Sequence, residues 1–507
     1  MSAATVIGIL PLAVLAAASI VVLLLAAFSR RALPAFVATL AGLAASLVCT
    51  GVAWTRVPLA AGTLLSFDGF VLFGFVLILG AAVFVAISSW AYLAGGKDIG
   101  GEYYFLLLVA TLGGCVLAAS SAFASFFLGL EMLSVSLYAL IGWRRDRGIG
   151  TEAAIKYLIL AGASSAFLLF GMALVYAAIG TMDLFRLAAA ATGQGVLAPV
   201  GLGMMLVGIG FKLAVVPFHL WTPDIYDGAP APVAGYIATV SKGAMVVVLA
   251  RAFTPAFIGP GGTAGAASTM AGGAANGLAA GFPWVFTIIA ALSMFAGNLL
   301  ALRESNIKRL LAYSSIAHLG YVLVAFLAGG PQALRAVAFY LVTYFVTTLG
   351  AFAVVSALSP RERDADAIDD YRGLAGRRPW IAAILTTMLL SLAGLPLTAG
   401  FVGKFVVLTA GAGAQLWALA VILVINSTIS IFYYLKVVST MFRAPESTGV
   451  AVRGAGGPGQ TGPTLASPSI PLLAALAVAL LALAVVALGV YPSPVLSFIG
   501  SFTTSGF

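Results

Sequence analysis

The sequence predicts an all-α polytopic membrane protein with about fourteen transmembrane helices. Three observations lead there. Hydrophobic residues make up 62% of the 507 residues and charged residues 8%, where a soluble domain would carry roughly 25% charged. Apolar runs of about 20 residues, each able to cross ~30 Å of hydrocarbon, recur from end to end. The 58 glycines, with many alanines, suit helices packed in lipid, where small residues let backbones approach. Alternation with a period of two is absent, which excludes an outer-membrane barrel.

In order, the spans cover residues 5–27, 34–54, 69–93, 103–121, 122–142, 153–179, 200–223, 231–254, 283–302, 308–328, 333–357, 380–409, 414–441 and 470–491. The first lacks a basic flank and is long, so it is expected to remain as a span and not to be cleaved as a signal. The net charge of +9 suggests a basic binder until its distribution is examined. Sixteen cations, among them Arg30, Arg31, Lys97, Arg144, Arg145, Arg147, Arg303, Lys308, Arg309, Arg361 and Arg363, fall in one alternating set of loops. The other set holds only Arg56, Arg186, Arg251 and Arg335. The charge is therefore topological, and the positive-inside rule places both termini on the outer side. No nucleic-acid surface is expected. Cys49 and Cys115 lie in apolar spans as packed hydrophobes, and no metal-ligand spacing is present.

Two hydrophilic stretches interrupt the pattern. "SPRERDADAIDDYRGLAGRRP" (359–379) carries five acids and five bases and reads as a solvated loop. Residues 443–469 are rich in Gly, Pro, Ser and Thr and read as a flexible linker. The uncharged stretch 258–281 reads as an outer loop rich in Gly and Ala. The expected organisation is therefore an N-terminal group of three spans (1–102), two groups of five (103–255 and 283–441), a linker (442–469) and a C-terminal span (470–507). Within each group of five the fourth span holds a proline among glycines, Pro217 in "GIGFKLAVVPFH" and Pro396 in "SLAGLPLTAGFVGKF". An odd number of spans per unit inverts the second copy. Paired broken helices in corresponding places of inverted repeats point to a transport site near the midplane.

The charges inside the spans carry the chemistry. Glu131 is the one acid deep in an apolar run, and Lys156, Lys212, Lys242, Lys404 and Lys436 are the basic residues within spans. Each costs around 2.5–3.5 kcal/mol at a helix centre and needs compensation. Glu131 and one lysine are expected to compensate each other, since an opposite charge nearby favours the ionised forms. Pro217 frees the carbonyl of Leu213 beside Lys212, and Pro396 that of Leu392 near Lys404. His219 follows Lys212 by seven residues, nearly the same face of an unbroken helix. Lysine suits a proton relay because burial readily lowers its proton affinity. Bland readings apply elsewhere: a helix ion pair with Glu152 for Lys156, snorkelling for Lys436, and a core histidine satisfied by Ser314 or Ser315 for His318. Glu131, Lys212, Lys242 and Lys404 are the leading candidates, with Lys156, His219 and His318 secondary.

Five blocks, "LGLEMLSVSLYAL", "TEAAIKYLILAGASSAFLLFG", "FKLAVVPFHLWTPDIYDGAPAPV", "GNLLALRESNIKRLLAYSSIAHLGY" and "SLAGLPLTAGFVGKF", resemble the antiporter-like membrane subunits of complex I, the proton-pumping NADH:quinone oxidoreductase, a family related to Mrp antiporters. The lysine of span 12 and the absence of a long C-terminal lateral helix bring the sequence nearest to the subunit N branch. The resemblance implies two inverted five-helix units with broken helices, and a proton relay in which Glu131 pairs with Lys212, Lys242 is central and Lys404 is terminal. It places Lys156, His219 and His318 along a central water axis. It also implies no cofactor in this chain. NADH, FMN, iron–sulfur clusters and quinone would belong to partner subunits. The neighbours would be subunits M and K, the lateral helix of subunit L, and lipids of a bacterial inner membrane. Two alternatives share this architecture: a subunit of a ferredoxin-, deazaflavin- or hydrogenase-linked relative, and a Mrp-type cation/proton antiporter subunit. A structural spacer without proton flux is a third.

Overall fold

The computed structural model describes residues 3–29, 31–93, 100–145, 147–187, 195–253, 278–360, 363–444 and 471–503. The outer loop and linker expected at 258–281 and 443–469 lie almost wholly outside the described residues. Six helices come first: α1 (Ala3–Phe28), α2 (Ala32–Trp54), α3 (Gly69–Leu93), α4 (Gly101–Ala119), α5 (Phe123–Ile141) and α6 (Gly148–Ile179). Next are α7 (Leu197–Leu213), α8 (Trp221–Gly228), α9 (Ala231–Tyr236), a π-helical turn (Ile237–Ser241) and α10 (Lys242–Phe253). The remainder is α11 (Leu278–Ala301), α12 (Ile307–Ala328), α13 (Gly330–Leu358), α14 (Pro379–Ala393), α15 (Ala399–Gly413), α16 (Trp417–Phe442), α17 (Leu472–Val490) and α18 (Ser493–Thr503). Among the described residues, twelve helices are long and apolar enough to cross a membrane, α9 to α10 counting as one.

The stretches expected as single spans at 200–223 and 380–409 are each divided, into α7 with α8 and α14 with α15. In both, the chain leaves the helix several residues before the proline. Ala214 and Gly394 end α7 and α14 in the left-handed region, at φ 60° and 84°. A small β-hairpin, β1 (Leu59–Ala61) against β2 (Leu65–Phe67), departs from the all-helical expectation.

Small residues set the close packing. An added Cβ on Gly113 of α4 would lie 2.6 Å from the backbone nitrogen of Leu133, and one on Gly129 of α5 2.5 Å from that of Leu117. α11 and α12 cross equally closely: a Cβ on Gly297 of α11 would lie 2.6 Å from the nitrogen of Ala317 on α12.

Two buried ion clusters tie the bundle at opposite ends, and neither is where sequence placed those charges. Arg251, counted among loop cations, is 2% exposed. Its Nε donates to Asp68 at 2.7 Å, and its other nitrogens reach Ser66 and the carbonyls of Ala118 and Ser120. At the arginine-rich end, Asp364 of the 359–379 loop is buried, with Lys308 at 2.6 Å, Arg147 at 2.9 Å and the Tyr92 hydroxyl at 2.5 Å. Lys308 also donates to the carbonyls of Asp227 and Ala229. Part of that loop is therefore a docked segment, joined to the start of α12 by the Ile307–Asp366 and Ile368–Ser305 backbone bonds.

Candidate functional site

Lys212 ends α7 next to the first break and is 3% exposed. Its ammonium donates to Ser134 Oγ at 2.9 Å and the Tyr157 hydroxyl at 3.1 Å, and stands 5.7 Å from the Tyr157 ring centre. The break is held from outside: the Val216 N–H donates to Ser293 Oγ of α11, and Trp221 Nε1 to the Phe211 carbonyl. A cavity of about 10 Å³ lies between α5, α6 and α7, lined by Ser134, Ser164, Ser165 and Lys212 among others. That is about the volume one water needs.

Lys242 opens α10 just after the π-helical turn, and π segments within helices frequently mark functional sites. Its ammonium donates to Ser315 Oγ at 2.6 Å and lies 5.6 Å from the Tyr226 ring centre. Lys404, on the second half of the divided span 12, donates to the Ala393 carbonyl at 2.8 Å and Ser427 Oγ at 3.0 Å, 5.1 Å from the Tyr321 ring centre. Gly394 makes room for it, since a Cβ there would lie 2.8 Å from Lys404 Cδ. The three lysines thus share one chemistry. Each is buried, hydrogen-bonded to a serine, and within cation–π range of a tyrosine, and among the described residues none is in an ion pair with a carboxylate.

Polar side chains continue between them. His318 is buried, with Nδ1 2.7 Å from the Tyr340 hydroxyl and its ring 5.4 Å from that of Tyr344. Among the described residues, Tyr226 OH, Tyr344 OH, Thr348 Oγ1, Thr222 Oγ1 and His219 Nδ1 are buried without a well-aligned hydrogen-bond partner. Buried polar groups are normally satisfied by protein or ordered water, so these atoms are the positions at which water would be held.

Several expectations need correction. Glu131 and Lys212 form no direct ion pair: Ser165 donates to Glu131 Oε1 at 2.5 Å, while Ser134, one turn along α5, accepts from Lys212. Lys156 is half-exposed, paired with Glu152 at 2.7 Å and Asp224 at 3.2 Å, and is not brought to the buried line. The helix pair suggested by its spacing wins. The Leu213 carbonyl does not receive Lys212, and the acceptor for Lys404 comes from Ala393 in place of Leu392, because the helices end earlier than the prolines alone imply. His219 lies in the break, so the shared helical face with Lys212 is lost. His318 pairs with Tyr340, since Ser314 is bonded to Tyr434 and Ser315 takes Lys242. Asp224 and Asp227 stand on α8, where Asp224 pairs with Lys156 and Arg309. Lys436 is exposed and donates to the Glu304 carbonyl. The serines and tyrosines that hold the lysines were not foreseen. Their signal would have been a hydroxyl-bearing residue near each buried lysine's depth on a neighbouring span.

Residues 120–264 and 278–430 match the family described as "NADH:quinone oxidoreductase/Mrp antiporter, TM". The chain belongs to that family. Among relatives bearing the name NADH-quinone oxidoreductase subunit N, the one from Ectopseudomonas mendocina is 47% identical over 445 residues, 86% of each chain. That from Methylococcus capsulatus is 44% identical over 442 residues, again 86% of each chain. A chain of respiratory complex I from Thermus thermophilus, solved with bound aureothin, is 34% identical, with TM-score 0.77 over 96% of this chain and 98% of that one. The Mrp complex from Dietzia sp. provides a chain sharing the fold at 21% identity and TM-score 0.81, over 100% of this chain and 98% of that one. Within the antiporter family the span 12 lysine now has its place, on the second half of a divided span.

Proposed function

We propose that this chain is the proton-translocating subunit N of a respiratory NADH:quinone oxidoreductase, moving protons along Lys212, Lys242 and Lys404 in response to quinone reduction elsewhere in the complex. The observation that carries the reading is the repeated environment of the three lysines, buried on neutral serine and tyrosine partners. An ammonium held by a neighbouring carboxylate is locked in its charged form, whereas one held by hydroxyls can release its proton when a nearby charge shifts. Glu131, one helical turn from Ser134, supplies such a charge close by without quenching Lys212. Water at the cavity by Ser165 would link the two. His318 with Tyr340, and the buried hydroxyls of Tyr226 and Tyr344, would carry protons between Lys242 and Lys404.

The identity with curated subunit N proteins favours the NADH-linked complex over the ferredoxin-, deazaflavin- and hydrogenase-linked relatives and over a cation antiporter. In this reading the chain is a non-redox subunit. NADH, FMN, iron–sulfur clusters and quinone are held by partners, and subunits M and K, the lateral helix of subunit L and lipids cover its sides. The protein spans a bacterial inner membrane with both termini outside, as the loop cations require. The two five-helix groups are inverted repeats, a reading supported by their matching glycine crossings and broken fourth spans.

The test is purification of a tagged chain from native membranes with its companions. The expected result is co-purified peripheral redox subunits with inhibitor-sensitive NADH:quinone reductase activity, and a several-fold loss of proton translocation in Lys212→Ala. Companions without that activity would assign the chain to another donor's complex. Unchanged reductase rate and translocation in an assembled Lys212→Ala complex would remove Lys212 from the path.

A further inference from the structure

Beyond Lys242, towards the end of the bundle opposite the arginine-rich loops, the residues around α10 are apolar. Along α10 the residues beyond Lys242 are apolar until Arg251: Val246 stands one turn on, and Leu249 and Ala250 two turns on. There α10 meets α7, α11, α12 and α13 around a void of about 10 Å³ lined by apolar side chains alone, including Leu213, Val246, Leu249, Phe286, Leu319 and Val337. All six are buried. Leu213 immediately follows Lys212, and Leu319 immediately follows His318, so the apolar layer abuts the polar line along its length. A void of this size could centre a water, but water also needs two to four polar partners, and apolar cavities stay dry. Hydrophobic constrictions in membrane proteins block conduction by excluding water.

Arg251 closes the same helix beyond that layer. Its guanidinium is bonded to Asp68, to Ser66, and to the carbonyls of Ala118 and Ser120 that end α4. Every polar group there is engaged in fixing α10 to α4 and to the β-hairpin. Arginine does not lose its proton under protein conditions, so its guanidinium cannot serve as the next relay station.

We propose that the apolar layer around Val246, Leu249 and Leu319, on a helix whose far end Arg251 anchors, is an insulating seal. It blocks protons on Lys212 and Lys242 from escaping straight to the outer face and so determines that they move sideways to Lys404. The inference rests on the proton-path reading above and adds the residues that fix the route.

The experiment uses native membrane vesicles carrying the whole complex with Val246→Asn, Leu319→Asn or the space-filling Val322→Leu. Two quantities are read: passive proton leak under an imposed potassium diffusion potential, and the proton gradient formed per NADH oxidised. The seal predicts a leak raised at least about threefold in both asparagine variants, a smaller gradient per NADH, and neither change in Val322→Leu. It further predicts that adding Lys242→Ala to Val246→Asn returns the leak to the parent level, because the leak starts from Lys242. Where an asparagine variant fails to assemble, Val246→Thr, which keeps the side-chain shape, takes its place with the same expectations. An unchanged leak in variants that assemble, while Lys242→Ala alone abolishes pumping, would overturn the seal and leave the proton path standing. Normal pumping in Lys242→Ala would instead sink the proton path itself.

Discussion

Asp364 comes from a stretch that reads as solvated loop, yet its carboxylate is 2% exposed and joins Tyr92, Arg147 and Lys308, residues from three separate parts of the chain. Burial alone would push its pKa up, but the Lys308 and Arg147 charges and the hydrogen bonds from Lys308 and Tyr92 hold the carboxyl down, at about 2. The native pKa lies below the unfolded value of about 3.9. Its contribution to stability is therefore fully present above about pH 4 and is lost as the pH falls through about 2. Asp364→Asn leaves Lys308 as an unpaired buried charge and is expected to cost about 3–5 kcal/mol. Thermal unfolding of the detergent-solubilised complex at pH 7 would show it, and a variant as stable as the parent would mean that Lys308 finds another partner. At this scale the sequence disclosed only part of the site. Lys212, Lys242 and Lys404 stand out because charge within apolar runs is rare and expensive. Ser134, Ser315, Tyr226 and Tyr321 look like any other polar residue in a helix, and their role depends on which neighbouring span they face. Lys308, Arg147 and Arg251 were misplaced for the converse reason: a cation at a span end looks solvated until tertiary packing buries it.

At the scale of elements the two broken spans decide the geometry. Pro217 and Pro396 marked them, as helix-breaking residues should, but the helices stop at Leu213 and Ala393, four and three residues before the respective prolines. The reason is local: a residue in the left-handed region ends each first half, Ala214 in one case and Gly394 in the other. The second halves are then anchored by side chains from elsewhere. At the second break Ser391 Oγ accepts the Gly400 N–H at 3.0 Å, and a Cβ on Gly400 would come within 1.8 Å of the Ser391 carbonyl oxygen. Gly400→Ala cannot be accommodated without moving α15, which carries Lys404. The expected outcome is a complex with at least about 1 kcal/mol lower stability and impaired pumping. Gly400→Ala that pumps normally would show that the close contact does not set the lysine's position. The π-helical turn ahead of Lys242 had no sequence signal, because it depends on one inserted residue in an otherwise ordinary helical pattern.

For the whole molecule, hydropathy was enough to place the helices: the twelve unbroken ones and the two divided ones fall on the apolar stretches read from the sequence. Hydropathy could not show how α7 and α8 are held against α11 and α12. The structure shows this in contacts that cross between them, Val216 on Ser293 at the first break and Lys308 on the carbonyls that end α8. These contacts tie the first break to α11 and the end of α8 to α12. The central claim is that protons pass through the buried lysines of both groups in series, and the most direct test is the number of protons moved per NADH oxidised in vesicles carrying Lys404→Ala. A series path predicts that this ratio falls while the complex remains fully assembled, because the last lysine is needed for protons that left Lys212. An unchanged ratio in the assembled Lys404→Ala complex would contradict it.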